Sequence, residues 1–280
     1  MIDMTYDNGR EARDGFMYCA SVDVLYYELA VISAQSLRDY HPDAHISLFT
    51  HANFVEERGR KIFDRIYTNI PIHIRSRMLC SANSPYQRTV FIDCDSTVHH
   101  RDIRKMHDHL DSCDLFYGAN ALHTVANWKW GWIDKQRKYE PKWHGSCYGW
   151  NKSDIMYDWM MTWYHEYLKQ RQNPWPYEWA YREWQQFDMF TLWKMAHGRH
   201  GMFPEFERFK DLKIDILPIR WNCSYQITAS DLKGPAVIRQ VDKGSIKRMN
   251  SWWAIIEERM KDDTRRVKKR SPADPIIEYN

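Results

Sequence analysis

Two aspartates, Asp93 and Asp95, flank Cys94 directly after a short apolar run at residues 89–92. Such a run predicts a buried strand, and open α/β sheets bind their ligands at the carboxyl ends of the strands. Side chains alternate along a strand, so the two carboxylates are predicted to lie on the same side. Carboxylates that close repel each other unless a cation lies between them. The simplest ligand is a hard divalent ion carrying a diphosphate; the alternative is an ordinary strand end, since Asp is common in turns.

The surroundings of this pair resemble a known family. Residues 77–96, RMLCSANSPYQRTVFIDCDS, are similar to the stretch before and through the DxD motif of GT-A glycosyltransferases, and most similar to the glycogenin-like and family 8-like nucleotide-sugar transferases. The resemblance implies Mn²⁺ or Mg²⁺ at Asp93 and Asp95, with a nucleoside-diphosphate sugar, first of all a UDP-sugar, as the donor. It also implies that Arg77, sixteen positions before Asp93, reaches this donor, and that Cys94 belongs to the same site.

Further segments extend the resemblance to the donor site. The first strand and helix bind the nucleoside in that family, and the matching residues here are Ala20, Ser21, Asp23 and Tyr26. Gly145 and Ser146, in HGSCYGWNKSD, match a family segment of small residues that allow close approach. The segment EWQQFDMF resembles a helix whose acid faces the donor sugar, and either Gln186 or Asp188 holds that catalytic place.

One departure from the family pattern concerns the metal site. Residues 214–222, IDILPIRWN, match the family's strand and LPxxxN segment, and residues 236–238 predict a final short strand. The family ends that strand with a histidine that binds the metal, whereas this chain has Arg239 and, further on, Lys243. A guanidinium cannot bind a divalent cation, although Arg239 and Lys243 can contact a diphosphate directly. The metal prediction therefore depends on Asp93 and Asp95.

The elements that carry these residues form a repeating pattern. Residues 16–22 predict a buried parallel strand, residues 26–40 an amphipathic helix, and residues 45–50 a second strand. A strand–helix–strand unit places helices on the faces of a parallel sheet. We therefore expect an α/β fold of the Rossmann-like GT-A type, with a mostly parallel sheet in a single domain over residues 1–280. The six cysteines lack CxxC spacing, which favours reduced thiols.

Tryptophan is concentrated between residues 128 and 193, which hold 11 of the 14. Aromatic and basic residues alternate over residues 127–143, and the rings of Trp128, Trp130 and Trp132 can stack on bases or sugars. The family places such a loop on the acceptor side; the alternative is a loop whose rings pack against the protein. The tryptophans of the helices that follow are predicted to be core. Residues 259–280 form a basic tail, either a flexible end or a polyanion-binding segment.

Composition narrows the location of the protein and leaves its acceptor open. The net charge of +3 implies no strong overall attraction to nucleic acid or membrane. Because no signal-peptide pattern or membrane-spanning run occurs, we expect the cytoplasm, or the host cytoplasm for a viral protein. The sequence predicts a glycosyltransferase that moves a hexose or pentose to a glycan, protein or DNA. Two alternatives remain: transfer to hydroxymethylated bases of viral DNA, and a degenerate module that binds nucleotide sugars or nucleic acid without catalysis.

Overall fold

The computed structural model describes residues 2–22, 24–73, 75–119, 143–172, 188–223, 232 and 234–240. Its strands are β1 (Asp3–Asp7), β2 (Asp14–Ala20), β3 (Ile46–Thr50), β4 (Arg65–Thr68), β5 (Arg88–Ile92), β6 (Ser96–Val98), β7 (Leu115–Ala119), β8 (Trp143–Asn151), β9 (Ile214–Leu217) and β10 (Ile238–Gln240). Its α-helices are α1 (Val24–Tyr40), α2 (Glu57–Ile62), α3 (Arg77–Ala82), α4 (Asp154–Gln172) and α5 (Asp188–His197). Shorter helical segments of 3-10 or π type are Ala52–Phe54, Arg101–Asp111, Gly198–Met202, Pro204–Phe209 and Ile219–Trp221.

Eight of these strands form one mixed sheet in the order β1-β4-β3-β2-β5-β8-β7-β9. The pairings β2–β3, β2–β5, β3–β4 and β7–β9 are parallel, and the other three are antiparallel. Strands from the first part of the chain build the half that ends with β5, and later strands build the half that begins with β8. The halves meet where Ile92 lies opposite Cys147. The predicted α/β class with a mostly parallel sheet is confirmed.

The predicted strand–helix–strand unit is present as β2, α1 and β3. Strand β2 runs parallel to β3, and their paired residues extend from Phe16 and Ile46 to Ala20 and Thr50. Every residue of β3 is buried, as expected of a strand covered on both faces. The parallel strands β2, β3, β4 and β5 therefore all end at one edge of the sheet, which carries the candidate site.

Helices cover both faces of the sheet. Helix α1 packs on one face, and α3, α4 and α5 pack on the other. Trp159 and Trp163 of α4 are fully buried, which confirms the prediction that the tryptophans of this helix belong to the core. The indole nitrogens bind Tyr117 Oη at 3.2 Å and the Asp188 carbonyl oxygen at 3.0 Å, respectively, so these large side chains are also paired through their polar atoms. The second contact fixes the start of α5.

Three further features complete the described architecture. Strand β8 runs antiparallel to β5 and β7, so its first residues reach the edge at which the parallel strands end. Residues Arg101–Asp111 form a 3-10 helix. Strands β6 and β10 form a separate antiparallel pair beyond the main sheet. None of the helices in the described ranges is long and apolar enough to cross a membrane.

Candidate functional site

Asp93 and Asp95 lie in a tight turn at the end of β5. The strand ends at Ile92; Asp93 N–H donates to the Ser146 carbonyl oxygen at 2.8 Å, and Ser96 N–H donates to the Asp93 carbonyl oxygen at 3.0 Å. The strand ends before the two aspartates, so the strand period does not by itself place their carboxylates on one side. The turn nevertheless leaves both aspartates half-buried while Cys94 is buried between them.

The Cys94 side chain points into the core. Its thiol donates to the Cys19 carbonyl oxygen at 3.2 Å, and burial raises the pKa of this thiol well above its usual value. A contact between Cys94 and a donor would therefore come from its backbone. This burial also explains the turn: one apolar side chain anchors it, and the flanking carboxylates remain accessible.

Arg77, the first residue of α3, joins two distant carboxylates. Its Nη1 lies 3.4 Å from Asp93 Oδ2, and its Nη2 lies 2.5 Å from Asp188 Oδ2. The Arg77 side chain is 7% exposed, Asp188 1% and Asp93 30%, so the pair with Asp188 is buried and the pair with Asp93 faces the edge of the site. Burial opposes the charge of Arg77, but the two carboxylates outweigh it and raise the pKa of the guanidinium. Arg77 therefore stays cationic.

Gly145 and Ser146 of β8 lie directly against these charges. A Cβ on Gly145 would lie 2.6 Å from Arg77 Nη2, so glycine is required for the guanidinium to occupy its position. Ser146 Oγ donates to Asn222 Oδ1 at 2.8 Å, while its carbonyl oxygen accepts from Asp93 N–H. Ser146 thus connects the aspartate turn to the asparagine that ends the LPxxxN segment.

The residues predicted to bind the nucleoside lie at the end of β2. Ala20 is buried, and its carbonyl oxygen accepts from Thr50 Oγ1 at 2.8 Å. Ser21 Oγ donates to the His73 carbonyl oxygen at 2.7 Å, which ties the strand end to the loop before α3. Tyr26 is half-buried in the first turn of α1 and packs against the core. These residues share the carboxyl edge of the sheet with the aspartate turn, because β2 and β5 are parallel neighbours.

Arg239 lies on β10, which pairs with the strand that follows the aspartate turn. Arg239 is opposite Thr97 in the β6–β10 register, two residues beyond Asp95. The strand predicted at residues 236–238 is observed at Ile238–Gln240. The fold thus brings the arginine found in place of the family's metal-binding histidine next to the aspartate turn.

The carboxylates of Asp93 and Asp95 fit a divalent ion that is shared with a bound diphosphate. Mg²⁺ takes one or two protein carboxylates and completes its coordination with water and phosphate oxygens. Asp93 and Asp95 alone do not supply all the ligands that a metal ion needs. Across the residues that the structure describes, no group of three or more His, Cys, Asp or Glu side chains is placed to hold a metal. Arg239 adds positive charge there instead of a ligand.

Sequence reasoning missed Arg75, which lies on the other side of Asp188. Its Nε is 3.0 Å from Asp188 Oδ1, a charge contact that lacks the alignment of a hydrogen bond. The Arg-x-Arg spacing at residues 75 and 77 is visible in the sequence, but nothing local indicates that a buried carboxylate separates the two side chains. Other predicted site residues lie outside the described residues: Asp23, Trp128, Trp130, Trp132, Gln186 and Lys243.

Three solved structures are similar to this chain at low sequence identity. Galactosyltransferase LgtC in complex with donor and acceptor sugar analogues is 13% identical, covers 89% of this chain and 94% of its own, and has a TM-score of 0.49. An active-site mutant of LgtC is 12% identical, with 88% and 95% coverage and a TM-score of 0.50. Apo mouse xyloside xylosyltransferase 1 is 12% identical, with 82% and 98% coverage and a TM-score of 0.46.

The comparison with the LgtC mutant identifies the fold. No protein-family model matches the chain, and no curated protein matches it either. The likeness to the LgtC mutant extends over most of both chains, and LgtC is a GT-A protein of glycosyltransferase family 8. The chain therefore has the GT-A fold, as its resemblance to the family 8-like transferases predicted.

Proposed function

We propose that the protein is a glycosyltransferase that moves a hexose or pentose from a nucleoside-diphosphate sugar to an acceptor. The observation that carries this proposal is the position of Arg77, whose guanidinium contacts Asp93 and Asp188 at the edge of the sheet. An arginine that remains charged while buried can bind a diphosphate, and two accessible carboxylates beside it can share an ion with that diphosphate. A UDP-sugar is the first donor to test.

The residues of the site have three proposed roles: contact with the nucleoside, binding of the metal ion, and binding of the diphosphate. Ala20, Ser21 and Tyr26 contact the nucleoside at the end of β2. Asp93 and Asp95 hold Mn²⁺ or Mg²⁺, which when bound would neutralise charge on the diphosphate leaving group.

Arg77 binds the same diphosphate and stabilises the charge that develops on it, the electrostatic contribution that dominates many such reactions. Gly145, which lacks a side chain, leaves room for the guanidinium, and Ser146 ties the aspartate turn to Asn222. Asp188 holds Arg77 from the core side.

The first experiment is a thermal-shift screen of ADP, CDP, GDP, TDP and UDP and their sugars, with and without Mn²⁺. Binding to the native state raises the melting temperature, by mass action. A shift for one nucleotide, larger with Mn²⁺, supports the proposal. No shift with any nucleotide would contradict it.

Asp95→Ala tests the metal assignment in a donor-hydrolysis assay. We expect this variant to lose Mn²⁺-dependent turnover of the donor, because one of two carboxylate ligands is removed. Asp211→Ala is the matched control, since Asp211 is an exposed turn residue away from the site. Turnover that is unchanged in Asp95→Ala would reject the assignment of Asp95 as a metal ligand.

A second candidate function is nucleotide-sugar binding without catalysis. The observation that favours it is Arg239, which occupies β10 beside the aspartate turn, at the place where the resembling family has a metal-binding histidine. Such a module would bind a nucleoside diphosphate but would not hydrolyse any donor sugar in the presence of Mn²⁺. The segments proposed for acceptor contact, including those that would bind DNA, lie outside the described residues, so glycan, protein and DNA acceptors all remain in the proposal.

A further inference from the structure

Asp188 lies between two arginines that approach its two carboxylate oxygens separately. Arg77 Nη2 is 2.5 Å from Oδ2, and Arg75 Nε is 3.0 Å from Oδ1. The carboxylate is 1% exposed, and the Arg75 and Arg77 side chains are 15% and 7% exposed. The three charges therefore act on one another at short range and with little screening by solvent.

The charges of these three side chains sum to plus one. Asp188 neutralises one guanidinium, and the other leaves a net positive charge behind the aspartate turn. With Asp93 included, the four side chains sum to zero, and without the charge of Arg75 they would sum to minus one. A negative group repels the diphosphate that Arg77 is proposed to bind. Arg75 thus keeps this group from becoming negative.

We infer that Arg75 is a positioning residue that acts through Asp188 to keep the donor site from becoming negative and Arg77 available to the diphosphate. This inference rests on the proposed function, since it specifies how the same site attracts its anionic ligand. Arg75 shares Asp188 with Arg77, so the carboxylate orients both guanidiniums. Arg77 can then contact Asp93, and the donor, at the edge of the sheet.

The loop that carries Arg75 is held by contacts that do not use the Arg75 side chain. The Arg75 backbone N–H donates to His73 Nδ1 at 3.0 Å, and Ser76 Oγ donates to the Pro71 carbonyl oxygen at 2.5 Å. Ser21 Oγ also holds the loop through the His73 carbonyl oxygen. A variant at Arg75 should therefore keep the course of the loop, while it changes the charge and the hydrogen bond between the Arg75 side chain and Tyr167.

A charge series separates this role from a purely structural one. The ligand is the nucleoside diphosphate, out of ADP, CDP, GDP, TDP and UDP, that raises the melting temperature of the wild type in the thermal-shift screen. Isothermal titration in EDTA measures the affinity of each variant for this ligand. We expect Arg75→Gln to bind roughly 10- to 100-fold more weakly, and Arg75→Lys to stay near the wild type. The double variant Arg75→Gln/Asp188→Asn restores the net charge, so its affinity should return towards the wild-type value.

Two further variants complete the series. Asp188→Asn alone lacks the carboxylate that orients the guanidiniums, as the double variant does, but it carries one more positive charge, so it should bind more tightly than the double variant. This comparison remains informative if Arg75→Gln does not fold. Arg208→Gln is the control, because Arg208 forms an exposed ion pair with Asp158 on the surface. It should bind like the wild type.

The outcomes distinguish the inference from the proposed function. A wild type that binds no nucleoside diphosphate contradicts both. A wild type that binds, together with Arg75→Gln of equal affinity, contradicts only the role of Arg75. A double variant that binds more weakly than either single variant would show that intact packing, and not net charge, governs affinity, and it would also overturn the inference.

Discussion

Replacing Gly145 by alanine would displace the Arg77 guanidinium by a distance that follows from the contact of the added Cβ. The added Cβ would lie 2.6 Å from Arg77 Nη2 and 3.2 Å from Met189 Sδ. The backbone at Gly145 does not have a positive φ angle, so alanine itself introduces no backbone strain. Ordinary contact begins near 3.4 Å, and the guanidinium would therefore have to move by about 0.8 Å.

This displacement weakens the buried ion pair with Asp188. Lengthening the 2.5 Å contact by that amount reduces the Coulomb attraction by roughly 1–2 kcal/mol at an effective dielectric constant near 20. Overpacking of a well-packed site typically costs about 1–3 kcal/mol in unfolding free energy. We expect Gly145→Ala to lose a similar amount, and its melting temperature to fall by roughly 2–8 °C. A misplacement of this size in a binding constellation also lowers catalytic efficiency, by about 10- to 100-fold.

The assay compares this variant with a second glycine of the same strand. A Cβ on Gly149 would lie 2.6 Å from Phe116 Cε1 and 3.0 Å from the Thr89 carbonyl oxygen, within the core and away from Arg77. Gly149→Ala should therefore lose stability while it keeps its affinity for the nucleoside diphosphate. Thermal melts measure the first quantity, and isothermal titration measures the second.

The melting temperatures and affinities of the two variants together test whether the Arg77 guanidinium packs against Gly145. Gly145→Ala should lose affinity out of proportion to its loss of stability, and Gly149→Ala should do the reverse. If Gly145→Ala kept both the wild-type melting temperature and the wild-type affinity, the guanidinium could not occupy the position described. Equal losses of affinity in both variants would refute a specific role for the contact with Arg77.

Two further predictions concern protonation and thiol access. Burial lowers the pKa of His107 to about 4, whereas an unfolded histidine has a pKa of about 6.5, so the unfolded chain binds the proton more readily. We expect the free energy of unfolding to fall by up to roughly 3 kcal/mol as the pH drops from about 6.5 to 4. Denaturation at several pH values should show a smaller fall for His107→Gln. An equal fall in this variant and the wild type would contradict the lowered pKa of His107. All six cysteines are free, and five of them are buried. At most one thiol, that of Cys19, should react quickly with Ellman's reagent in the native protein, and all six after denaturation; a second fast thiol would contradict this packing.

The sequence predicted the early strands and α1 well, because the strands are short apolar runs and α1 has apolar residues at helical spacing. Residues 16–22 and 45–50 correspond to β2 and β3 with shifts of two residues or fewer, and residues 26–40 lie within α1. Such signals are local, and local patterns are enough to place them.

The remaining features depend on partners that are far away in the chain. Asp188 is buried because it meets Arg77, 111 residues earlier, and no pattern around either residue indicates this pairing. The direction of β8 is likewise set by its neighbours β5 and β7. The turn after Ile92 was missed because the strand period was extended three residues past Ile92, to Asp95, although the Asp93 carbonyl oxygen already accepts from Ser96 N–H.

The junction of β5 and β8 also separates the half of the sheet that is synthesised early from the half that is synthesised late. Strands β1 to β5 have all been synthesised by Ile92, and a nascent chain can begin to pair them while synthesis continues. At that stage, neither β8 nor α5 has been made, so Arg77 has no contact with Asp188. A chain truncated between these elements could keep half of the sheet, but it could not assemble the charged cluster. Formation of the cluster thus reports that translation has passed α5.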